Sequence, residues 1–351
     1  MKIRTIIGMA VLLGFFWSAK AQIINTEAVN RYWALTDSLK KDRPLTDRQW
    51  QEFLSIEGNK TYAASEFDSA RLARYRKALE IVYRPSNDSL LQARLKANDW
   101  YVILAKRYKD EEPALKADLR DTLQNPVYFN RAYQYVYEYL PQKWQHHVSN
   151  LVIYYNCLSN DAVSYTNGLF FSLLSVTDNA KTRKGTLEAH ELHHRLRQER
   201  DILLHQATKN SGLLWAIRNI PNEGIADLID KTWEKPEDIY DWLIAPAPAT
   251  IASLDSCIRV LASHADSSQN ERFYRNLLRR TTGHMPGFYM ARVIVHNGYK
   301  QRLIDGSDNP FNFFYLYNRV AKKDKTKPVR FSEQSMAYLK HLERICSQRT
   351  D

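Results

Sequence analysis

Cysteine is scarce. Cys157, Cys257 and Cys346 are the only three in 351 residues, far apart and without a C-x-x-C pair, which excludes a zinc knuckle or a dithiol redox centre and allows at most one internal disulfide. They read as small hydrophobes with no chemistry of their own. Glycine is scarce too, with 11 residues beside a hydrophobic content of 44%, so collagen-like, low-complexity and disordered classes are excluded. No pattern repeats at 20 to 50 residues, which removes solenoid and propeller arrays. Beyond the N-terminus no apolar run reaches the roughly 20 residues a membrane span needs. The 50 basic residues against 39 acidic ones are spread thinly. Their densest cluster, Lys322-Lys323-Asp324-Lys325-Thr326-Lys327, precedes Pro328 as a solvated loop would, so no nucleic-acid partner is expected.

What is present begins with an export pattern. Lys2 and Arg4 precede the apolar stretch Thr5 to Trp17, and Ala19 and Ala21 supply the small residues of a cleavage site before Gln22. Residues 1–21 therefore read as a signal peptide, which predicts a periplasmic or extracellular protein with no stable membrane insertion after cleavage. Its removal takes two lysines and one arginine and no acid, lowering the formal charge from +11 to +8.

The mature chain reads as α+β, predominantly α. Residues 22–140 form an N-terminal helical region: Thr46 and Asp68 cap amphipathic runs, Arg84-Pro85 ends one, and Pro126 opens another carrying Tyr128, Tyr135 and Tyr139. The tyrosine stripes at helical spacing read as packing. Residues 141–351 form the second region. Asn150 to Cys157 and Gly168 to Val176 read as two strands of a small sheet joined by a polar segment, after which helical patterns return. Breaks fall at residues 219–222, 245–249, 283–287 and 309–310.

The helix after Gly185 contains His190-Glu191-Leu192-His193-His194, an H-E-x-x-H pattern. Histidines four apart lie about 40° from each other around a helix, one turn displaced, so both imidazoles can reach one ion while Glu191 projects nearby. Ala189, Leu192, Leu196 and Leu203 gather on a different face, and His193 points away from the pair. A metzincin would need Gly and His at 197 and 200, where this chain has Arg197 and Arg200. Downstream, Asn222-Glu223-Gly224-Ile225-Ala226-Asp227 sets Glu223 and Asp227 on one helix face, and small Gly224 and Ala226 let that helix approach another closely. Read alone, it would be a surface helix with two exposed carboxylates.

The two motifs together resemble the gluzincin metallopeptidases, the thermolysin-like zinc enzymes with H-E-x-x-H followed by N-E-x-x-x-D. The chain is also similar to a bacterial family described as zinc-dependent peptidases. The resemblance covers residues 190 to 227 directly, with 28 residues between His194 and Glu223, an enlarged connection that includes Ser211-Gly212 and Trp215. It implies a zincin-like core with the small sheet beside the H-E-x-x-H helix. It further implies that His190, His194 and Glu223 bind Zn2+, that Asp227 hydrogen-bonds a ligand histidine, and that an edge strand, Gly168 to Val176 or Asn150 to Cys157, aligns a peptide or protein substrate. Glu191 is then the general base for a zinc-activated water. A donor to the oxyanion is expected from His284, Tyr289 or His296, with His284 in its glycine-flanked turn preferred and Tyr289 second. His146-His147 reads as a surface pair. Amide hydrolysis on cell-wall peptides, or a non-catalytic zinc-stabilised binding role, would use the same ligands.

Overall fold

Thr46 and Asp68 act as their residue types predict. Thr46 and Gln49 form a reciprocal capping box at the start of helix Asp47–Ser55, and the Asp68 carboxylate accepts the Arg71 N–H at 2.7 Å to open helix Ser69–Tyr83. Asn125 caps the helix that Pro126 starts. The computed structural model describes residues 22–199, 210–264 and 268–347. Residues 1–21, expected to be a signal peptide, and Leu203 lie outside the described residues.

The protein is α+β and mostly helical, with one four-stranded sheet. Its strands are β1 (Ile23–Asn25), β2 (Val152–Asn156), β3 (Ala162–Tyr165) and β4 (Gly168–Ser172), in the order β1-β2-β4-β3. β1 runs parallel to β2 with Ile24 opposite Ile153, and β2 runs parallel to β4 with Tyr154 opposite Phe170. β3 is antiparallel to β4, with Val163 opposite Phe170.

The strands differ from the sequence expectation in three places, the first being β1, which lies at the start of the region expected to be helical. The polar connector between the two expected strands holds β3, the edge of the sheet. The second expected strand stops at Ser172, whose hydroxyl accepts the Ser175 N–H at 3.2 Å and turns the apolar run Leu173, Leu174, Val176 into the helix Leu173–Arg183. A short apolar run fits a buried strand and a buried helix equally well until its cap is recognised.

Two hydrophobic cores form. One spans Val29 to Leu196 and takes in Ile229; the other runs from Leu213 to Cys346. Along the chain the first cluster gives way to the second between Leu196 and Leu213, and N-terminal helices pack on the sheet. Their tyrosines are buried against the turn after β2. Tyr62 meets the Ser159 hydroxyl at 2.7 Å, Tyr108 donates to the Ser159 carbonyl at 2.7 Å, and Tyr75 donates to the Cys157 carbonyl. Cys157 and Cys346 are buried and all three cysteines are free thiols.

A 20-residue helix, Ser211–Asp230, runs about 30 Å and carries the second motif. Proline at 221 lies inside it, although the sequence pattern places a break at 219–222. Proline removes one helical N–H and crowds the preceding turn. Tertiary packing holds the helix through that defect. It crosses helix His284–His296 so closely that a Cβ on Gly224 would overlap the backbone of Gly287, and one on Gly287 would overlap the Ile220 carbonyl.

Candidate metal centre

Three helices meet at one point. The motif helix, Thr186–Leu196, leaves the left-handed Gly185 and buries Ala189, Leu192 and Leu196 in the first core, which turns His190, Glu191 and His194 toward the long helix. The long helix presents Glu223, Asp227 and Asp230, spaced four and three residues apart and therefore on one face. Gly283, with φ of 113°, lies against the backbone of Asn219 and starts the third helix so that His284 is its first residue. A side chain at 283 would be strained in that conformation.

The groups converge on one carboxylate oxygen. Glu223 Oε2 lies 3.5 Å from His190 Nε2, 3.2 Å from His194 Nε2 and 3.4 Å from His284 Nε2. Charge-assisted N–H···O bonds usually close to about 2.7–2.9 Å, so these spacings are long for direct ion pairs. They match a different geometry. With zinc–ligand bonds of about 2.0–2.1 Å, neighbouring ligands of a tetrahedral ion stand about 3.3–3.4 Å apart. Ligand atoms of His190, Glu191 and His194, and of His190, Asp227 and His284, also form two overlapping groups within 4.8 Å. The acid that faces all three Nε2 atoms is Glu223, while Asp227 lies on the Nδ1 side. The donor set of imidazoles and carboxylate fits zinc.

Behind the rings stand carboxylates. His190 Nδ1 meets Asp230 Oδ1 at 3.1 Å, and His284 Nδ1 meets both oxygens of Asp227 at 3.0 and 3.1 Å. Asp227 lies 3.7 Å from His190 Nδ1, beyond hydrogen-bond reach, so its direct partner is His284. Asp230 is the residue the sequence reading missed, although its position three after Asp227 put it on the same face. It is fully buried, with its other oxygen 3.1 Å from Lys231 Nζ. Glu223 is steadied from its far side: Asn222 Nδ2 donates to Glu223 Oε1 at 3.3 Å and Arg197 Nη1 donates to Asn222 Oδ1 at 3.2 Å. Arg197 is anchored in turn by the Ser307 carbonyl at 2.8 Å.

The electrostatics are those of a cation pocket. Burial pushes Glu223 up, but His194, His284 and His190 outweigh it and hold the carboxyl well below its ordinary range. Burial pulls His190 down, yet Asp230 and Glu223 hold it well above the usual imidazole value. His284, also lowered by burial, is raised to about 9 by Asp227 and Glu223. Glu191 moves the other way: burial raises it, with Glu223 and Asp161 adding to the rise against His194 and His190. Four buried carboxyl groups thus draw positive charge into this space, as protons or as a divalent ion.

Tyr289 and His296, the other expected oxyanion donors, lie elsewhere, as do the histidines expected to have no role. Tyr289, on the third helix, packs against the second core, where Asp324 is its charged neighbour. His296 ends that helix, 12 residues beyond His284. His147 lies over the Tyr133 ring at 4.0 Å. His193 is buried in the motif helix, and burial holds it well below the ordinary imidazole value.

A cleft of about 610 Å³ opens beside His194, walled by Trp215, Arg218, Asn219 and Asn222. On the other flank the motif helix packs beside β3. The Ser172 N–H to Asp161 carbonyl bond at 3.0 Å fixes the phase of the β3–β4 pairing. Val163 and Tyr165 therefore bond inward to β4, and the main-chain groups of Ala162 and Ser164 face outward. The Asp161 carboxylate takes the Ala162 N–H at 2.9 Å. Ser164 is left at the outer edge.

This convergence agrees with what comparison finds. The model of the family DUF5700, described as "Putative zinc dependent peptidase", matches residues 50–326. The chain belongs to that family. The match covers both motifs, His284 and most of the two cores. No curated protein and no solved structure matches the chain.

Proposed function

We propose that the protein is an exported zinc peptidase of gluzincin type, with His190, His194 and Glu223 as metal ligands and Glu191 as general base. The observation that carries this reading is the convergence of imidazole Nε2 atoms on Glu223 Oε2 at 3.2 to 3.5 Å, with the Glu191 carboxyl beside the His190 and His194 rings. Zinc, when bound, supplies a Lewis acid that polarises an amide carbonyl and acidifies water.

The chain's own residues do the rest. Glu191 accepts the proton of the attacking water and delivers it to the leaving amine. Its buried carboxyl, held above the ordinary carboxylate range, is matched to both halves of that transfer. Asp230 accepts a hydrogen bond from Nδ1–H of His190 and so fixes the tautomer whose bare Nε2 faces Glu223. The outward main chain of Ser164 on β3 offers an extended peptide one strand's pairing, a role earlier expected of the two strands that turn out to be internal. No helix among the described residues is long and apolar enough to cross a membrane, and the N-terminal pattern supports export.

Purified protein should carry one zinc per chain and cleave a peptide library. Glu191→Gln should retain the metal and lose hydrolysis. A protein that takes up no zinc would refute the reading, and a variant that still turns over would refute the base. Cleavage confined to cell-wall peptides would favour the amidase alternative.

A further inference from the structure

His284 falls outside the ligand set that the two motifs imply, yet its surroundings repeat those of His190 group for group. Each ring has a buried aspartate against Nδ1, Asp230 for His190 at 3.1 Å and Asp227 for His284 at 3.0 Å. Each has its Nε2 at ligand-to-ligand spacing from Glu223 Oε2, 3.5 and 3.4 Å. With Nδ1–H donating to Asp227, the neutral ring carries its lone pair on Nε2, which suits it to hold a metal and leaves it no proton to donate there. A donor to an oxyanion needs the opposite arrangement, an N–H aimed at the developing charge.

We propose that His284 is a fourth protein ligand of the zinc site in the resting protein, and that substrate enters by displacing it. The proposal rests on the zinc-peptidase reading and replaces the oxyanion-donor role expected for this residue. Three imidazoles and one carboxylate fill a four-coordinate site, so no position is open for chemistry while all four hold. His284 is the ligand suited to leave. Its side chain is 31% exposed, against 5% for His190 and 15% for His194. It also sits at the first residue of its helix, next to Gly283, whereas the other two are held within the motif helix.

The test is X-ray absorption spectroscopy on zinc-loaded full-length protein without substrate, with zinc affinity measured by chelator competition. Wild type should show three imidazoles and His284→Ala two, with affinity lower by roughly 10-fold or more, as even loss of an outer partner costs 10- to 100-fold. His284→Cys should bring a sulfur to about 2.3 Å from the zinc. Circular dichroism of each variant checks that the helices persist, and the sulfur signal reads the position even if the alanine variant is poorly folded. Two imidazoles in both wild type and His284→Ala, unchanged affinity and no sulfur near the metal would overturn the proposal while leaving the peptidase reading intact. A wild type that binds no zinc would overturn both.

Discussion

The two cores contribute to the centre in different ways. The first delivers His190, Glu191 and His194 from a single turn of one helix, so their mutual placement follows from helical geometry alone. The second delivers Glu223, Asp227 and Asp230 from one helix and His284 from another, 57 residues separating Asp227 from His284. Their placement depends on two backbones meeting at Gly224 and Gly287. One half of the site is specified locally and the other by packing, and the two should fail differently when altered.

The largest effect is expected in the local half. Glu191→Gln leaves every proposed ligand in place and should lower kcat by about 10²- to 10⁴-fold with zinc content unchanged, measured by peptide turnover and metal analysis. In the packed half, Gly287→Ala touches no ligand, yet it drives a methyl group into the Ile220 carbonyl. It should cost about 1–3 kcal/mol in denaturant unfolding and weaken zinc binding as well. If affinity stays at the wild-type value, the helix crossing does not position the second half.

Asp230→Asn should lower zinc affinity by about 10- to 100-fold through His190, with little change in fold, since it alters the hydrogen bond behind one ligand. Affinity should also depend on pH. Metal needs neutral imidazoles, and the acids raise His284 to about 9 and His190 well above its ordinary value. Protons compete less as pH rises, so zinc affinity should climb from pH 6 to pH 9. A flat profile would show that these rings are already neutral.

The smallest effect concerns Glu188, on the motif helix but outside the centre. Burial raises its carboxyl to about 7, with the Tyr128 hydroxyl donating to it at 2.8 Å. A carboxyl raised in the folded state favours folding when protonated. In metal-free protein its contribution is present below the ordinary glutamate range and fades as pH rises through about 7. Glu188→Gln should flatten that decline in unfolding experiments between pH 5 and 8.

What could be read in advance divides along the same line. H-E-x-x-H and the glutamate with its aspartate four residues on are local patterns, and both were legible. Asp230 is equally local but belongs to neither motif, so only the helix face it shares with Asp227 points to it. His284 was legible only as a histidine in a glycine-flanked turn, because its distance to Glu223 is set by the crossing of two helices. Pro221 hid the continuity of the long helix, since proline alone argues for a break and only the packing around it argues otherwise. β1 and β3, of three and four residues, are too short for alternation to show. The pairing of β1 with β2 spans more than 120 residues of chain, which no local pattern announces.

The placement of the centre between two cores makes a bound ion a rivet as well as a reagent. Chelation would then do more than silence the protein. It would remove a fastener whose grips come from both sides of the seam, turn buried acids against one another, and leave the halves to be held by apolar contact and a few hydrogen bonds such as Arg197 to Asn222 and Ser307. Zinc supply would in that way set how long the folded chain survives proteolysis.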